Sequence, residues 1–159
     1  MKDLIEELIS VATAKGICDE GLREMGSRNR DALINYYIAN PDWCLERDFP
    51  DFDTLKDKFA DCEGKGVYVD KVFHGETLND LQTYIFHGCK GTIKVGLNVD
   101  KGIIPMLYLA NGCRLRIIGI GDKSQKRRSE VPVYVFGKND VSARNNQFVS
   151  FTRYNSDLI

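Results

Sequence analysis

Tyr84, Gly88, Cys89 and Ile93 recur as Tyr108, Gly112, Cys113 and Ile117, each 24 residues later. The stretches YIFHGCKGTIKVG and YLANGCRLRIIGI share one order: tyrosine, an apolar run, a turn with glycine, cysteine, a second apolar run. A weaker third copy sets VPVYVFGKNDV against IPMLYLANGCRL, with Pro105 matched by Pro132. Three units of about 24 to 27 residues, each strand–turn–strand, predict a short β-solenoid (β-helix-like) whose coils stack on one another. That stacking sets Ile93 over Ile117 and Cys89 over Cys113. The alternative is an antiparallel β-sandwich or meander, in which Asn111-Gly112 is a hairpin turn.

The runs around these units support strands. VYVDKVF, TYIF, TIKVGLNV, IIPMLYL, CRLRIIGI, VPVYVF and QFVSFTR are short and rich in Val, Ile, Tyr and Phe. Between Thr92 and Val99, Ile93, Val95, Leu97 and Val99 point one way, and Thr92, Lys94, Gly96 and Asn98 the other. One face is therefore buried and the other wet.

Residues 1–62 carry a helical period instead. Leu4, Ile5, Leu8, Ile9 and Ala12 make one apolar stripe, and Gly16 is placed to end that helix. GLREM reads as a short turn after Asp19. Ser27 is the expected N-cap of RNRDALINYYIA, Asn40-Pro41 ends that helix, and Asp53 is the expected cap of TLKDKF. The organisation is thus α+β: a helical module over 1–62 and a β domain over 63–159. A short solenoid leaves an open end that needs a cap, which the helical module or a second copy of the chain could supply.

With 43% hydrophobic residues in 159, the chain can bury a core without metal or disulfide staples. A formal net charge of -1 argues against a protein whose main task is gripping nucleic acid or anionic membrane. The five cysteines form no C-x-x-C pair and predict free thiols in a reducing compartment. MKDLIEELIS is an acidic amphipathic start rather than a signal peptide. No apolar run approaches the roughly 20 residues needed to span a bilayer. The expected setting is the host-cell cytoplasm, or a particle assembled there.

Chemistry-bearing candidates are sparse. Of the two histidines, His87 lies two residues from Cys89, but no second ligand pair accompanies them, so no metal or cofactor is expected. Buried cysteines are inert small hydrophobes, and no phosphate-loop spacing is present. No catalytic residue is assigned. Lys123, Lys126, Arg127 and Arg128 form the one dense cation cluster, suited to an acidic protein surface or phosphate. Trp43 and Phe49, in the proline-flanked linker NPDWCLERDFPDF, are the candidate docking anchors for a protein partner. A small ligand on the β surface would use Tyr84, His87, Tyr108, Arg114 and Tyr134.

LISVATAKGI followed by RDALINYY resembles SAP-like helix–loop–helix modules, which implies DNA binding or packing against a partner. Acids at Asp19, Glu20 and Glu24 stand where that family carries basic residues. Through NPDWCLERDFP, FHGCKG and IPMLYLANGC, the chain resembles uncharacterised proteins of gut-bacterial phages and mobile elements. That resemblance implies a virion-associated or accessory role. The expectation is a non-enzymatic structural or interaction protein that associates with itself or with a protein partner. The alternatives are a regulatory protein whose N-terminal helices touch nucleic acid, and a small-ligand binder.

Overall fold

A computed structural model of the chain describes residues 3–25, 29–121, 130–144 and 148–154. The chain divides into two units, Met1–Asp51 and Phe52–Ile159. The division falls one helix ahead of the change of period near residue 62. The helix opening at Phe52 belongs with the strands, its first ring stacked on His87 at 6.3 Å between centroids.

In the first unit, α1 (Leu4–Ala14) starts at Asp3, whose carboxylate accepts from the Ile5 N–H. Its stripe of Ile5, Leu8 and Ala12 is buried. The segment read as a short turn is a helix, α2 (Asp19–Met25). α3 (Arg30–Ala39) is capped by Asn29, whose Oδ1 accepts from the Asp31 and Ala32 N–H groups. Ser27, the expected cap, lies outside the described residues. The linker is helical too: α4 (Pro41–Glu46) opens on Pro41, which fits a first turn because its missing N–H has no partner to lose there.

The second unit begins with α5 (Phe52–Lys58) and a 3-10 turn, Glu63–Lys65. Asp53 sits inside the first turn of α5 rather than ahead of it. Nine strands follow among the described residues: β1 (Val67–Val69), β2 (Val72–Leu78), β3 (Thr83–His87), β4 (Lys90–Gly96), β5 (Met106–Ala110), β6 (Arg114–Ile120), β7 (Val131–Phe136), β8 (Asp140–Arg144) and β9 (Val149–Tyr154). The odd strands form one five-stranded sheet in the order β1-β3-β5-β7-β9. The even strands form a four-stranded sheet in the order β2-β4-β6-β8.

All pairs between these strands are parallel. The antiparallel sandwich is therefore not what forms. Asn111-Gly112 is not a hairpin, because β5 and β6 lie in different sheets. Parallel neighbours demand a long return path, and here each return is made by a strand of the other sheet.

One core takes side chains from both sheets. Tyr84, Phe86, Leu107, Leu109, Val133 and Val135 come from the odd strands, and Phe73, Ile93, Val95, Leu115 and Ile117 from the even ones. Ile93 and Ile117 stand opposite each other in register and are wholly buried. Burial of each such side chain contributes about 1.5–3 kcal/mol.

The 24-residue spacing holds across β4 and β6 but slips by one across β3 and β5. There Tyr84 faces Leu107, and Tyr108 faces Ile85. The two bends differ in length: Gly88-Cys89 turns the first, and Asn111-Gly112-Cys113 the second. Asn111 and Gly112 both take left-handed backbone, at φ 60° and 74°, which absorbs the additional residue. Tyr84 consequently lies in the core, while Tyr108 points out of the opposite side of its sheet.

Candidate functional site

The outward positions of the even strands line up in three rows. Val72, Lys90, Arg114 and Asp140 form the first; His74, Thr92, Arg116 and Ser142 the second; Thr77, Lys94, Ile118 and Arg144 the third. Lys90, Lys94, Arg114, Arg116 and Arg144 are all exposed. Strands about 4.8 Å apart rising about 3.3 Å per residue put these five cations within a patch of about 10 by 13 Å.

Alternation explains the face. Ile93, Val95, Leu115 and Ile117 fill the inward positions of the same strands, so their neighbours must face water. Among the described residues, none of the five cations takes part in an ion pair. Each neighbouring pair, about 6 Å apart, repels by about 0.7 kcal/mol in water, a cost that a multivalent anion relieves. Two acids border the patch. Asp140 opposes Arg114 in register, and Glu76 is occupied by the His74 N–H at 2.7 Å.

The patch is shaped as well as charged. A shallow groove of about 260 Å³ runs between Gly91, Thr92, Arg114, Arg116, Asp140 and Ser142. A second hollow of about 440 Å³ adjoins it at the bends, with Arg114, Lys138, Asn139 and Asp140 on its walls. Asn139 is fixed there: its Oδ1 accepts from the Cys113 N–H at 2.7 Å, and its amide donates to the Phe136 carbonyl at 2.8 Å. No Phe, Tyr or Trp stands in the three rows, so the face offers no platform for stacking bases.

The residues expected to bind a small ligand are separated by the fold. Tyr84 is in the core, where its hydroxyl accepts from the Asp80 and Leu81 N–H groups at 3.0 and 2.9 Å. Tyr108 and Tyr134 stack at 4.9 Å on the outer side of the five-stranded sheet, whereas Arg114 lies on the outer side of the other sheet. His87 is buried, with its Nδ1 2.6 Å from the Asn111 amide nitrogen. Burial pushes its pKa down to about 3, which keeps the ring neutral. The five do not converge on one pocket.

Trp43, half-buried, and Phe49 pack on each other in the helical unit, their rings edge to face at 5.9 Å. Trp43 also meets Tyr36 at 6.3 Å, and the Arg47 guanidinium covers its ring at 4.7 Å. Phe49 is 1% exposed, so it is a core residue rather than an exposed anchor. Lys123, Lys126, Arg127 and Arg128 lie outside the described residues. Lys90, Arg116 and Arg144 carry no signal as a group in the sequence because they lie on three separate strands; only parallel register gathers them. Their signal was alternation, since Lys94 already fell on the wet side of β4.

Among the described residues, no group of three His, Cys, Asp or Glu side chains is placed to share a metal ion, and no helix is long and apolar enough to cross a membrane. Compared with protein-family models, curated proteins and solved structures, the chain matches none.

Proposed function

We propose that this chain is a non-enzymatic interaction protein: a short two-sheet β-solenoid, joined to a small helical unit, that offers a basic face to an acidic protein surface. The observation that carries the reading is the set of five exposed cations held in register on the even strands without ion-pair partners among the described residues. The solenoid reading rests on strands that alternate between two parallel sheets around one core. The buried chemistry-bearing groups have structural work: Cys89 and Cys113 donate to backbone carbonyls, and His87 is hydrogen-bonded to Asn111. The resemblance to phage-borne proteins supports a partner within a larger assembly.

Carboxylates suit this face better than a nucleic-acid strand does. Arginine forks pair two-point with carboxylate and phosphate alike, but single-stranded nucleic acid needs aromatic platforms absent from the three rows, and a net charge of -1 gives no broad field for a duplex. The test is retention of the full chain on immobilised poly-glutamate and on duplex DNA. Poly-glutamate should hold it at about 0.1 M salt and release it at about 1 M, where screening shortens to about 3 Å. Arg114→Glu/Arg116→Glu should elute early with its melting temperature unchanged. Flow-through of the parent on poly-glutamate, or retention by DNA alone, would overturn the reading.

A further inference from the structure

The chain's near-neutral total hides a division of charge between its units. Residues 1–51 carry 11 Asp and Glu against 6 Lys and Arg, a net of -5. Residues 52–159 carry 12 against 16, a net of +4. The acids of the helical unit concentrate on two short stretches. Glu6 and Glu7 lie in the first turn of α1, Asp19 and Glu20 in the first turn of α2, and Glu24 one turn further along. All five are exposed, and among the described residues none has an ion-pair partner.

We infer that the basic face of the four-stranded sheet docks the exposed acids of α1 and α2 in a second copy of this chain. The inference rests on the proposed reading of that face as a site for an acidic protein surface and supplies its occupant. Each chain carries both members of a complementary pair, five cations and five carboxylates without ion-pair partners among the described residues, so a second copy answers the charge of each. The contact joins two different patches rather than one patch to itself, which makes it a heterologous interface. Complementary potentials of this kind steer encounter and fix orientation, and they weaken as salt screens them.

The experiment is light scattering of the full chain against concentration at about 0.1 M and about 1 M salt, where screening lengths are about 10 Å and about 3 Å. The parent should exceed the mass of one chain at low salt and fall to it at high salt. Arg114→Glu/Arg116→Glu and Lys90→Glu/Lys94→Glu should each weaken association by about tenfold or more, and so should Glu20→Lys/Glu24→Lys. An equimolar mixture of Arg114→Glu/Arg116→Glu with Glu20→Lys/Glu24→Lys should regain association, because the swapped charges again attract. Melting curves identify any variant that fails to fold, and the second sheet variant then carries the test. A parent that stays monomeric at low salt sinks the inference; if it still binds poly-glutamate, the acidic-partner reading survives with a different occupant. Association unchanged in both sheet variants also overturns it, as does a mixture that fails to recover.

Discussion

The thiols of Cys89 and Cys113 repeat one contact at successive bends: Cys89 donates to the Tyr68 carbonyl at 3.5 Å and Cys113 to the Phe86 carbonyl at 3.6 Å, and Tyr68 and Phe86 are themselves register partners. Both cysteines are fully buried. The neighbouring Cys113 thiol, with burial, holds the Cys89 thiol well above the ordinary thiol range. Neither sulfur is open to a reagent from solvent, so the pair is packing material. Cys18, the exposed cysteine, should be the first to react with a thiol reagent in the native protein, and Cys89 and Cys113 only on unfolding. Mass spectrometry of partly labelled protein checks this; early modification of either core cysteine would contradict it.

Ile93→Asp and Ile117→Asp should each destabilise by about 4 kcal/mol or more, because an unpaired charge would enter a filled core. Lys94→Asp, one residue along on the wet face, should stay within about 0.5 kcal/mol of the parent. Denaturant melts of the three variants test the alternation directly. Equal losses would mean that the faces are assigned wrongly.

Gly91 takes φ +108°, and a Cβ there would run into the Phe73 backbone of the neighbouring strand. Gly112 also has positive φ, at +74°, but open space around it. Gly91→Ala should therefore cost more than the roughly 1 kcal/mol expected of Gly112→Ala, which strains the backbone alone. Thermal denaturation of the pair separates the two effects. A larger loss at Gly112 would count against the close approach of β2 and β4.

His87 gives the β unit an acid-sensitive element. Its pKa is about 3 when folded, against about 6.5 for an unperturbed histidine, so the unfolded chain binds the proton first. The contribution is fully present above about pH 6.5 and declines by about 1.4 kcal/mol per pH unit as pH falls toward 3. Relative to the parent, His87→Gln should lose less stability between about pH 6 and pH 4. Urea titrations at both pH values measure the difference; parallel curves would mean that the ring accepts a proton in place.

Much of the β unit was legible from Gly88, Cys89 and Ile93, because a bend and a buried rung need the same residues in every copy. Tyr84 and Tyr108 misled for a local reason. The additional residue at Asn111 turns one ring inward and the other outward, and spacing alone does not reveal which bend is longer. The helical unit was read less well. Asn40-Pro41 ends α3 as expected, but the same proline also starts α4, a helix the linker reading did not contain. The basic face was hidden because Lys90, Arg114 and Asp140 are far apart in sequence and meet only through register.

The unequal bends at Gly88 and Asn111 bear on how such a chain can change over generations. A residue gained or lost at a corner is swallowed before the next rung begins, so the interior keeps its pattern while the exterior is re-dealt. Corners are thus where lineages of this protein can drift in length and acquire new surfaces without unfolding.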